Sequence, residues 1–319
     1  MFEALLSNKK LKEQLSKSIA ENRPLHAYLF VGAKGSGKKT AANELARALV
    51  GKNPDKVYSG AHPDVITIAP EKGKKLIPVE TIRNMRADAF VKPSEGTRKI
   101  YIIDGAHLLN DAGQNALLTI LEQPPSFAVF ILLSESKGKI LSTVISRCVL
   151  YEMEYVSLLD SMVYLKAMFP DKPEARLRAC ALTADGNLGL AVSLVTDDSF
   201  DKNAITCTKF LKAVAMEDEY TAASLIIKMD KDSLLSFLPL LAMYIRDVLV
   251  YRQTGSDARL VFKTGVLQNK QLFDKIDNNI LYGSACACER AMELINANVS
   301  TALITADLTV SFFGGDKFD

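Results

Sequence analysis

The stretch YLFVGAKGSGKKTAANELARALV, residues 28–50, decides the fold of this chain. It begins with four apolar or aromatic residues, 28–31, which predict a buried strand. A glycine-rich turn follows at residues 32–38, and Ala41 and Leu45 then begin an apolar pattern with helical spacing. A strand, a glycine-rich loop and a helix in this order are typical of a loop that binds phosphate groups.

The glycines and one lysine of this loop are the first candidate binding residues. Gly32, Gly35 and Gly37 allow backbone N–H groups to wrap around a phosphate, and the amino terminus of the following helix adds a favourable dipole. Lys38 would supply the positive charge for the outer phosphates. These four residues predict a nucleotide site at the end of the first strand.

The residue after this lysine departs from the motif. An active loop has Ser or Thr there to bind Mg²⁺, whereas this chain has Lys39, and its threonine comes one position later, at Thr40. One step along a helix rotates a side chain by about 100°, so Thr40 does not simply replace the missing ligand. Lys39 also brings positive charge to the place of the metal. We therefore predict a degenerate site that binds ATP or ADP weakly and holds no metal ion.

A second motif of the same class occurs at residues 99–104. The apolar strand there ends at Asp104, whose counterpart in phosphate-loop proteins helps to hold Mg²⁺. Active members have a glutamate next, which polarises the attacking water, but this chain has Gly105, which cannot take a proton. A further apolar strand, residues 127–133, ends at Ser134, which either senses a phosphate or caps the strand. Two independent defects argue against hydrolysis, so we predict that no cofactor is required.

The composition is that of an ordinary soluble globular protein. Apolar residues make up 48% of the chain, charged residues make up 24%, and the net charge is +2. The cysteines are odd in number and scattered, which favours free thiols in a reducing compartment. No run approaches the roughly 20 apolar residues that span a bilayer, and the first residues lack the apolar run of a signal peptide. We expect a cytoplasmic protein with no membrane partner.

Strand and helix patterns alternate up to residue 150, which predicts an α/β domain with a mostly parallel, doubly wound sheet. Only helical patterns follow this point. The polar run at residues 196–203, with three aspartates, is the best second boundary. The sequence thus predicts three domains, of which the last two are helical, at residues 1–152, 153–198 and 199–319.

The chain resembles the AAA+ clamp-loader subunits, and among them the delta prime subunits of bacterial DNA polymerase III. The resemblance lies in HAYLFVGAKGSGKKT (26–40), VKPSEGTRKIYIIDGAHLLNDAGQNALLTILEQPP (91–125) and ISRC (145–148), with GNLGLA (186–191) as a further local match. It implies that the three predicted domains are an AAA+ P-loop core, a small helical lid, and a helical collar that joins five subunits in a ring.

The resemblance also gives a role to the motif Ser146-Arg147-Cys148. In clamp loaders the arginine of this motif reaches across an interface to the ATP of the neighbouring subunit. A guanidinium presented in trans stabilises the charge that develops on the transferred phosphoryl group. The resemblance therefore implies that Arg147 is a trans-acting arginine finger. Taken on the residue alone, Arg147 would instead cap a strand or pair with a local acid.

The sequence departs from its relatives in three ways. Motor subunits of this family have intact GKT or GKS and DE motifs, whereas this chain has GKK and DG. Motors also tend to have a lid arginine that senses nucleotide, and the corresponding run at residues 186–191 has none. Many bacterial relatives bind zinc through four cysteines after the phosphate-loop helix, but residues 50–64 contain no cysteine. We therefore expect no zinc.

These features together predict a stator, meaning a subunit that supports the ring without hydrolysing ATP itself. Its expected partners are motor and clamp-opening subunits in a hetero-pentameric ring, the sliding clamp, and primed DNA within the complex. Two alternatives stay open. One is a catalytically active AAA+ motor in which Asp104 and Thr40 hold a metal. The other is an independent DNA-binding module, because residues 71–99 contain eight Lys or Arg against four Asp or Glu.

Overall fold

The computed structural model describes residue 2 and residues 5–21, 24–71, 74, 76–257 and 260–313. Contacts among them separate the chain into two compact units. The first unit comprises the described residues up to Ser161 together with Gly186–Leu190. The second unit comprises Met162–Asp185 and the described residues from Ala191 onward.

The first unit contains a five-stranded sheet in which all neighbouring strands are parallel. The strands are β1 (Ala27–Val31), β2 (Val65–Ile68), β3 (Lys99–Asp104), β4 (Ala128–Ser134) and β5 (Val149–Glu152). Their order across the sheet is β2-β3-β4-β1-β5. Parallel neighbours need crossover connections, which helices provide here. The predicted α/β fold with a parallel sheet is therefore confirmed.

Local sequence signals mark the start of two of the five helices that lie wholly in the described part of the first unit and the end of one of them. The five helices are α1 (Lys9–Ala20), α2 (Lys38–Val50), α3 (Val79–Asp88), α4 (Asp111–Glu122) and α5 (Ser142–Ile145). The Asn110 side chain accepts a hydrogen bond from the N–H of Gly113 and caps α4. The prolines at 124 and 125 prevent that helix from continuing. α2 starts directly after Gly37, so the phosphate loop leads straight into a helix amino terminus.

Both faces of the sheet are covered, because successive side chains of a strand point to opposite faces. Tyr28 and Phe30 of β1 belong to a buried cluster that includes residues of α1 and α2. Ala27 and Leu29 of the same strand belong to a second cluster that includes residues of α3 and α4. The three central strands β1, β3 and β4 are thus buried on both faces, which leaves their ends as the places where their polar side chains reach solvent.

From residue 153 onward the described residues contain helices and turns but no strand. The helices are α6 (Leu158–Met168), α7 (Glu174–Thr183), α8 (Leu188–Thr196), α9 (Phe200–Ala215), α10 (Glu219–Ile226), α11 (Lys231–Thr254), α12 (Lys263–Gln268), α13 (Lys270–Phe273), α14 (Asn278–Asn296) and α15 (Thr301–Phe312). The helical character predicted for this half is confirmed. The division into three domains stays a prediction.

Two details of the helical half differ from the sequence prediction. The apolar spacing of the sequence predicts a helix over about 205–217, but α9 starts at Phe200, inside the polar run, because Phe200 is buried and the Asp197 side chain accepts the N–H of Ser199 just before it. The spacing also predicts one helix over 258–276, whereas the described part of this range, from residue 260, contains the short helices α12 and α13. The predicted break near Asn298 is present, and Asn298 adopts a left-handed backbone with φ of 62°.

Helix α11 is long and apolar enough, by length and composition alone, to cross a bilayer. The sequence scan predicted no such segment, because Arg246 and Asp247 interrupt the apolar run. Half of its most apolar window is buried inside the protein. Asp247 is fully buried, and its Oδ2 accepts the N–H groups of Val261 (2.6 Å) and Phe262 (2.7 Å). These contacts are those of a core helix in the second unit.

Candidate functional site

A cleft of about 670 Å³ lies at the carboxyl ends of β1, β3 and β4. Six of the eight predicted nucleotide-site residues line it: Gly35, Gly37, Lys38, Lys39, Thr40 and Asp104. Because the strands are parallel, the loop after β1 and the end of β3 meet at the same edge of the sheet. The topology therefore assembles residues that are far apart in the sequence.

The phosphate loop has the backbone that its glycines allow. Gly35 and Gly37 have φ of 85° and 88°, a left-handed conformation that other residues rarely adopt. The loop is closed by a hydrogen bond from the N–H of Ser36 to the carbonyl of Ala33. At the start of α2, the first backbone N–H groups have no partner within the helix. The loop can thus offer backbone donors to an anion.

The ammonium of Lys38 lies against the loop itself. Its Nζ donates to the carbonyl of Gly32 at 2.7 Å and to that of Ala33 at 2.8 Å. Lys38 is buried, and this burial lowers the pKa of its ammonium, while the charges of Glu135 and Asp104 act in the opposite direction. An ammonium has three donors, so one remains for a phosphate when both carbonyl contacts are kept.

The ammonium of Lys39 pairs with the carboxylate of Asp104. Nζ of Lys39 lies 3.0 Å from Oδ2 of Asp104, and both side chains line the cleft. These two positions hold Mg²⁺ in an active phosphate-loop protein when the first is Ser or Thr. The sequence predicted positive charge at the place of the metal, and the structure adds that this charge is paired with the remaining metal ligand. Thr40 also lines the cleft.

The turns after β3 and β4 add a histidine and a carboxylate, respectively, that sequence reasoning missed. Nδ1 of His107 accepts the N–H of Glu135, so the proton of its neutral ring lies on Nε2. Burial lowers the pKa of His107, which keeps the imidazole neutral near pH 7. Both residues line the cleft. Their positions, just after the strand ends at Asp104 and Ser134, were the signal that could have identified them.

Gly32 and Ser134, the remaining two predicted residues, lie beside the cleft and do not line it. Ser134 is fully buried, and its hydroxyl donates to the carbonyl of Ser136 and accepts the N–H of that residue. The carbonyl of Ser134 accepts the N–H of Gly32. These contacts are those of a strand cap, which was one of the two roles considered for Ser134 from the sequence.

Residues 186–190 are attached to the phosphate loop through a contact that we call the clasp. The clasp consists of two hydrogen bonds, from Asn187 Nδ2 to the carbonyl of Lys34 (2.6 Å) and from the N–H of Gly189 to the carbonyl of Gly35 (3.1 Å). A Cβ on Gly189 would lie 2.6 Å from Cα of Gly35, so the two backbones touch. The sequence identified GNLGLA as a family match but did not predict the clasp.

Arg147 lies at the opposite edge of the sheet from the cleft. The register pairs Val149 with Tyr28, so the start of β5 lies beside the start of β1, and Arg147 precedes it. Its Nη2 is 2.6 Å from Oε1 of Glu122, and its Nη1 donates to the carbonyl of Thr143. The side chain is one-third exposed. In the chain alone, Arg147 therefore pairs with a local acid, the alternative considered for the residue taken by itself.

The region that holds zinc in many relatives is organised here by hydrogen bonds. Asp64 is buried, and its carboxylate accepts the N–H groups of Ser94, Glu95 and Gly96. His62 is also buried; its Nδ1 accepts the N–H of Asp64, which leaves Nε2 to donate to a carbonyl. No group of three or more His, Cys, Asp or Glu residues that could hold a metal occurs among the residues described.

The basic bias of residues 71–99 is reduced by ion pairs within the same stretch. Lys74 pairs with Glu71, Arg83 pairs with Glu80, and the buried Lys99 pairs with Asp88. Lys72 and Lys75 lie outside the described residues. A larger cleft of about 860 Å³ occurs in the second unit, where α7, α9 and residues 260–265 contribute mostly apolar walls. No motif found in the sequence maps to that cleft.

The chain is similar to known replication proteins over most of its length. A sequence profile described as DNA polymerase III, delta subunit, matches residues 7–157. The chain is 28% identical to DNA polymerase III subunit delta' of Escherichia coli (strain K12), over 74% of this chain and 73% of that protein. It is 30% identical to DNA polymerase III subunit tau of Bacillus subtilis (strain 168), over 61% of this chain but 37% of tau.

A solved structure supports the fold. The crystal structure of a DNA polymerase III gamma subunit-related protein from Thermotoga maritima matches with a TM-score of 0.53 and 16% identity, over 94% of this chain and 98% of that one. This likeness concerns the fold alone, and the family assignment depends on the sequence matches. The sequence matches therefore support an AAA+ clamp-loader subunit of DNA polymerase III, related to the delta prime subunits and to the tau and gamma subunits.

Proposed function

We propose that this chain is a delta prime-like stator of a clamp-loader ring, which supplies Arg147 to the ATP of a neighbouring motor subunit and hydrolyses no ATP itself. It supports loading of the sliding clamp onto primed DNA, in the cytoplasm. Its partners are motor and clamp-opening subunits in a hetero-pentameric ring. Its relation to delta prime and tau subunits supports these partners.

The position of Arg147 is the observation on which the trans role depends. The cleft lies at the carboxyl ends of the strands, whereas Arg147 lies just before β5, at their amino ends. A strand rises about 3.3 Å per residue, so the five residues of β1 separate these edges by roughly 16 Å. Arg147 therefore cannot serve the cleft of its own chain. A nucleotide that this guanidinium contacts would therefore have to be bound by another subunit.

Two features of the cleft support the absence of hydrolysis. The ammonium of Lys39 is paired with the carboxylate of Asp104, which would otherwise help to hold Mg²⁺. Gly105 stands where an active member has its glutamate, and its φ of 97° is a conformation that glutamate rarely adopts. A Cβ at Gly105 would also lie 2.9 Å from Cδ1 of Leu108. The backbone itself is thus unsuited to a catalytic carboxylate at this position.

Substitution of Arg147 in a reconstituted ring tests the proposal. We expect Arg147→Ala to leave ring assembly intact and to lower DNA-stimulated ATP turnover by about 1000-fold at the site it serves, because finger arginines contribute about three decades or more in rate. Arg83→Ala, which removes another ion-paired arginine of the same unit, is the matched control, and turnover should stay at the wild-type level. Assembly is checked by native mass measurement. Wild-type turnover with Arg147→Ala would overturn the finger assignment.

An active motor is the second candidate, because Thr40 lines the same cleft as Asp104. In that case the isolated chain should have Mg²⁺-dependent ATPase activity that survives Arg147→Ala and is lost with Lys38→Ala. Under the stator proposal the isolated wild-type chain has no such activity. The same purified protein therefore distinguishes the two candidates.

A further inference from the structure

The cleft contains a cation of its own at the place where a divalent metal is expected. Lys39 Nζ lies 3.0 Å from Asp104 Oδ2, with 62% of the lysine side chain and 33% of the aspartate side chain exposed. Mg²⁺ demands oxygen ligands at about 2.0–2.1 Å in octahedral geometry. A metal on Asp104 would lie beside the ammonium and be repelled by it. The residues present therefore do not fit Mg²⁺.

The charge of the cleft suits an anion without a metal. Its described lining includes the ammonium groups of Lys34, Lys38 and Lys39 and the carboxylates of Asp104 and Glu135. The imidazole of His107, which is neutral near pH 7, adds no charge. The lining thus has a surplus of one positive charge. Charged groups that line a cleft of low dielectric raise the local concentration of ions of opposite sign.

The loop is also held in a defined conformation without any ligand. The clasp fixes the carbonyls of Lys34 and Gly35 and takes up no N–H group of the loop, where the N–H groups of Gly32 and Ser36 bond to the carbonyls of Ser134 and Ala33. Lys38 is held by the carbonyls of Gly32 and Ala33. A loop that is already ordered loses less conformational entropy on binding. The N–H and ammonium donors that would contact a phosphate are therefore present, although the Ser or Thr that would bind Mg²⁺ is absent.

We propose that this cleft binds the polyphosphate of a nucleoside diphosphate or triphosphate without a divalent cation, and that the Lys39 ammonium supplies the positive charge in place of the metal. The Lys39 ammonium then donates to a phosphate oxygen as well as to Asp104. Its side chain is long, flexible and exposed, so it can contact both. This deepens the proposed function, because a subunit that hydrolyses no ATP then holds nucleotide as a structural ligand.

Titration calorimetry of the purified full chain with ADP tests the proposal, in excess EDTA and in excess Mg²⁺. We expect ADP to bind the wild-type chain at least as tightly in EDTA as in Mg²⁺. Pyrophosphate should displace ADP, because all contacts invoked are with phosphate groups. Binding at least tenfold tighter in Mg²⁺ than in EDTA would overturn the proposal. So would no ADP binding in either buffer, or ADP that pyrophosphate cannot displace.

Two variants of Lys39 separate charge from metal binding. Lys39→Ala should weaken ADP binding in EDTA by about tenfold, the value of one charge-assisted hydrogen bond. Lys39→Thr restores the hydroxyl of the motif and should make ADP binding depend on Mg²⁺. Lys92→Ala, an exposed lysine away from the cleft, is the control and should change nothing. Wild-type affinity with Lys39→Ala would overturn the proposal.

This experiment can fail separately from the proposed function. ADP binding is measured on the isolated chain, whereas the role of Arg147 is measured as ATP turnover in the ring. A chain that binds no ADP but still loses ring turnover with Arg147→Ala would leave the stator function standing and remove only the metal-free nucleotide site.

Discussion

The two edges of the sheet use a cation paired with a carboxylate in different ways. At the carboxyl edge, Lys39 is paired with Asp104 inside a cleft that also holds the phosphate loop. At the amino edge, Arg147 is paired with Glu122 in an exposed position away from that cleft. In the first pair, the lysine ammonium contacts the aspartate that would be a metal ligand of the same site. The second holds the guanidinium that we propose to serve a neighbouring subunit.

This difference teaches that a motif and its chemistry can be separated within one domain. The loop after β1 keeps the glycines and the lysine that bind phosphate, but its metal position is taken by an ammonium. The edge before β5 has no phosphate-binding motif, and the role proposed for its arginine lies in a ring of subunits. Similarity of fold therefore indicates where a functional site lies, whereas the contacts of single residues determine the chemistry that each edge can perform.

The amino edge also has a buried cation, and breaking its pair should have the largest effect on stability. Lys99 is 6% exposed and donates to Asp88, which also accepts the hydroxyl of Tyr101. We expect Asp88→Asn to lower the free energy of unfolding by about 2 kcal/mol, since a buried ammonium loses its counter-charge while the half-exposed carboxylate is partly screened. Urea unfolding followed by circular dichroism measures this change.

The stability that the pair of Asp88 and Lys99 contributes in the wild-type chain depends on pH with a defined sign. Burial alone would raise the pKa of Asp88, but hydrogen bonds from Lys99 and Tyr101 and the charge of Lys99 outweigh it, so the pKa lies below its usual value. The stabilisation is therefore present above the unfolded pKa of about 3.9 and is lost as pH falls through the folded pKa. Glu80→Gln, which breaks an exposed pair on the same helix, is the control. Equal effects of the two variants at pH 7 would contradict the prediction.

The clasp at the carboxyl edge should have an intermediate effect. A side chain at Gly189 would collide with the backbone of Gly35, so Gly189→Val should open the clasp and remove two hydrogen bonds. We expect a loss of about 1 kcal/mol in stability and faster amide hydrogen exchange at residues 186–190. Gly138→Ala is the control, because its nearest neighbour lies 3.9 Å away. Unchanged exchange in Gly189→Val would show that the clasp is not formed in solution.

Most of the fold was predictable from the sequence because periodicity and turn residues act locally. The buried strands, the loop of glycines and the prolines after α4 all have short-range causes. The start of α9 was missed because a buried Phe200 decides it, and burial depends on residues distant in the sequence. The clasp was missed for the same reason, since it joins Asn187 to Lys34 across the chain.

The sequence identified most residues of the candidate site, but it did not predict which of their side chains contact each other. The motifs identified Lys39 and Gly105 as the two defects and Asp104 as the metal ligand that is kept, and the parallel sheet brings all three to one cleft. That Lys39 contacts Asp104, and that Glu122 contacts Arg147, depends on side-chain geometry across 65 and 25 residues of sequence. Local sequence patterns carry no information about contacts between residues so far apart in the sequence. His107 and Glu135 were missed because their role in the cleft is set by strand ends from two different strands.

Breaking the pair between Glu122 and Arg147 at the amino edge should have the smallest effect of all on stability, which is what the proposed trans role of Arg147 requires. Glu122→Gln should change the free energy of unfolding by no more than about 0.5 kcal/mol, because an exposed ion pair contributes little. In the reconstituted ring it should raise ATP turnover by about twofold, since a competitor for the guanidinium worth about that energy is removed. Asp55→Asn, which breaks an exposed pair with Arg47, is the control. If turnover instead falls, Glu122 does not compete for Arg147 but positions it, and the two edges differ less than their contacts suggest.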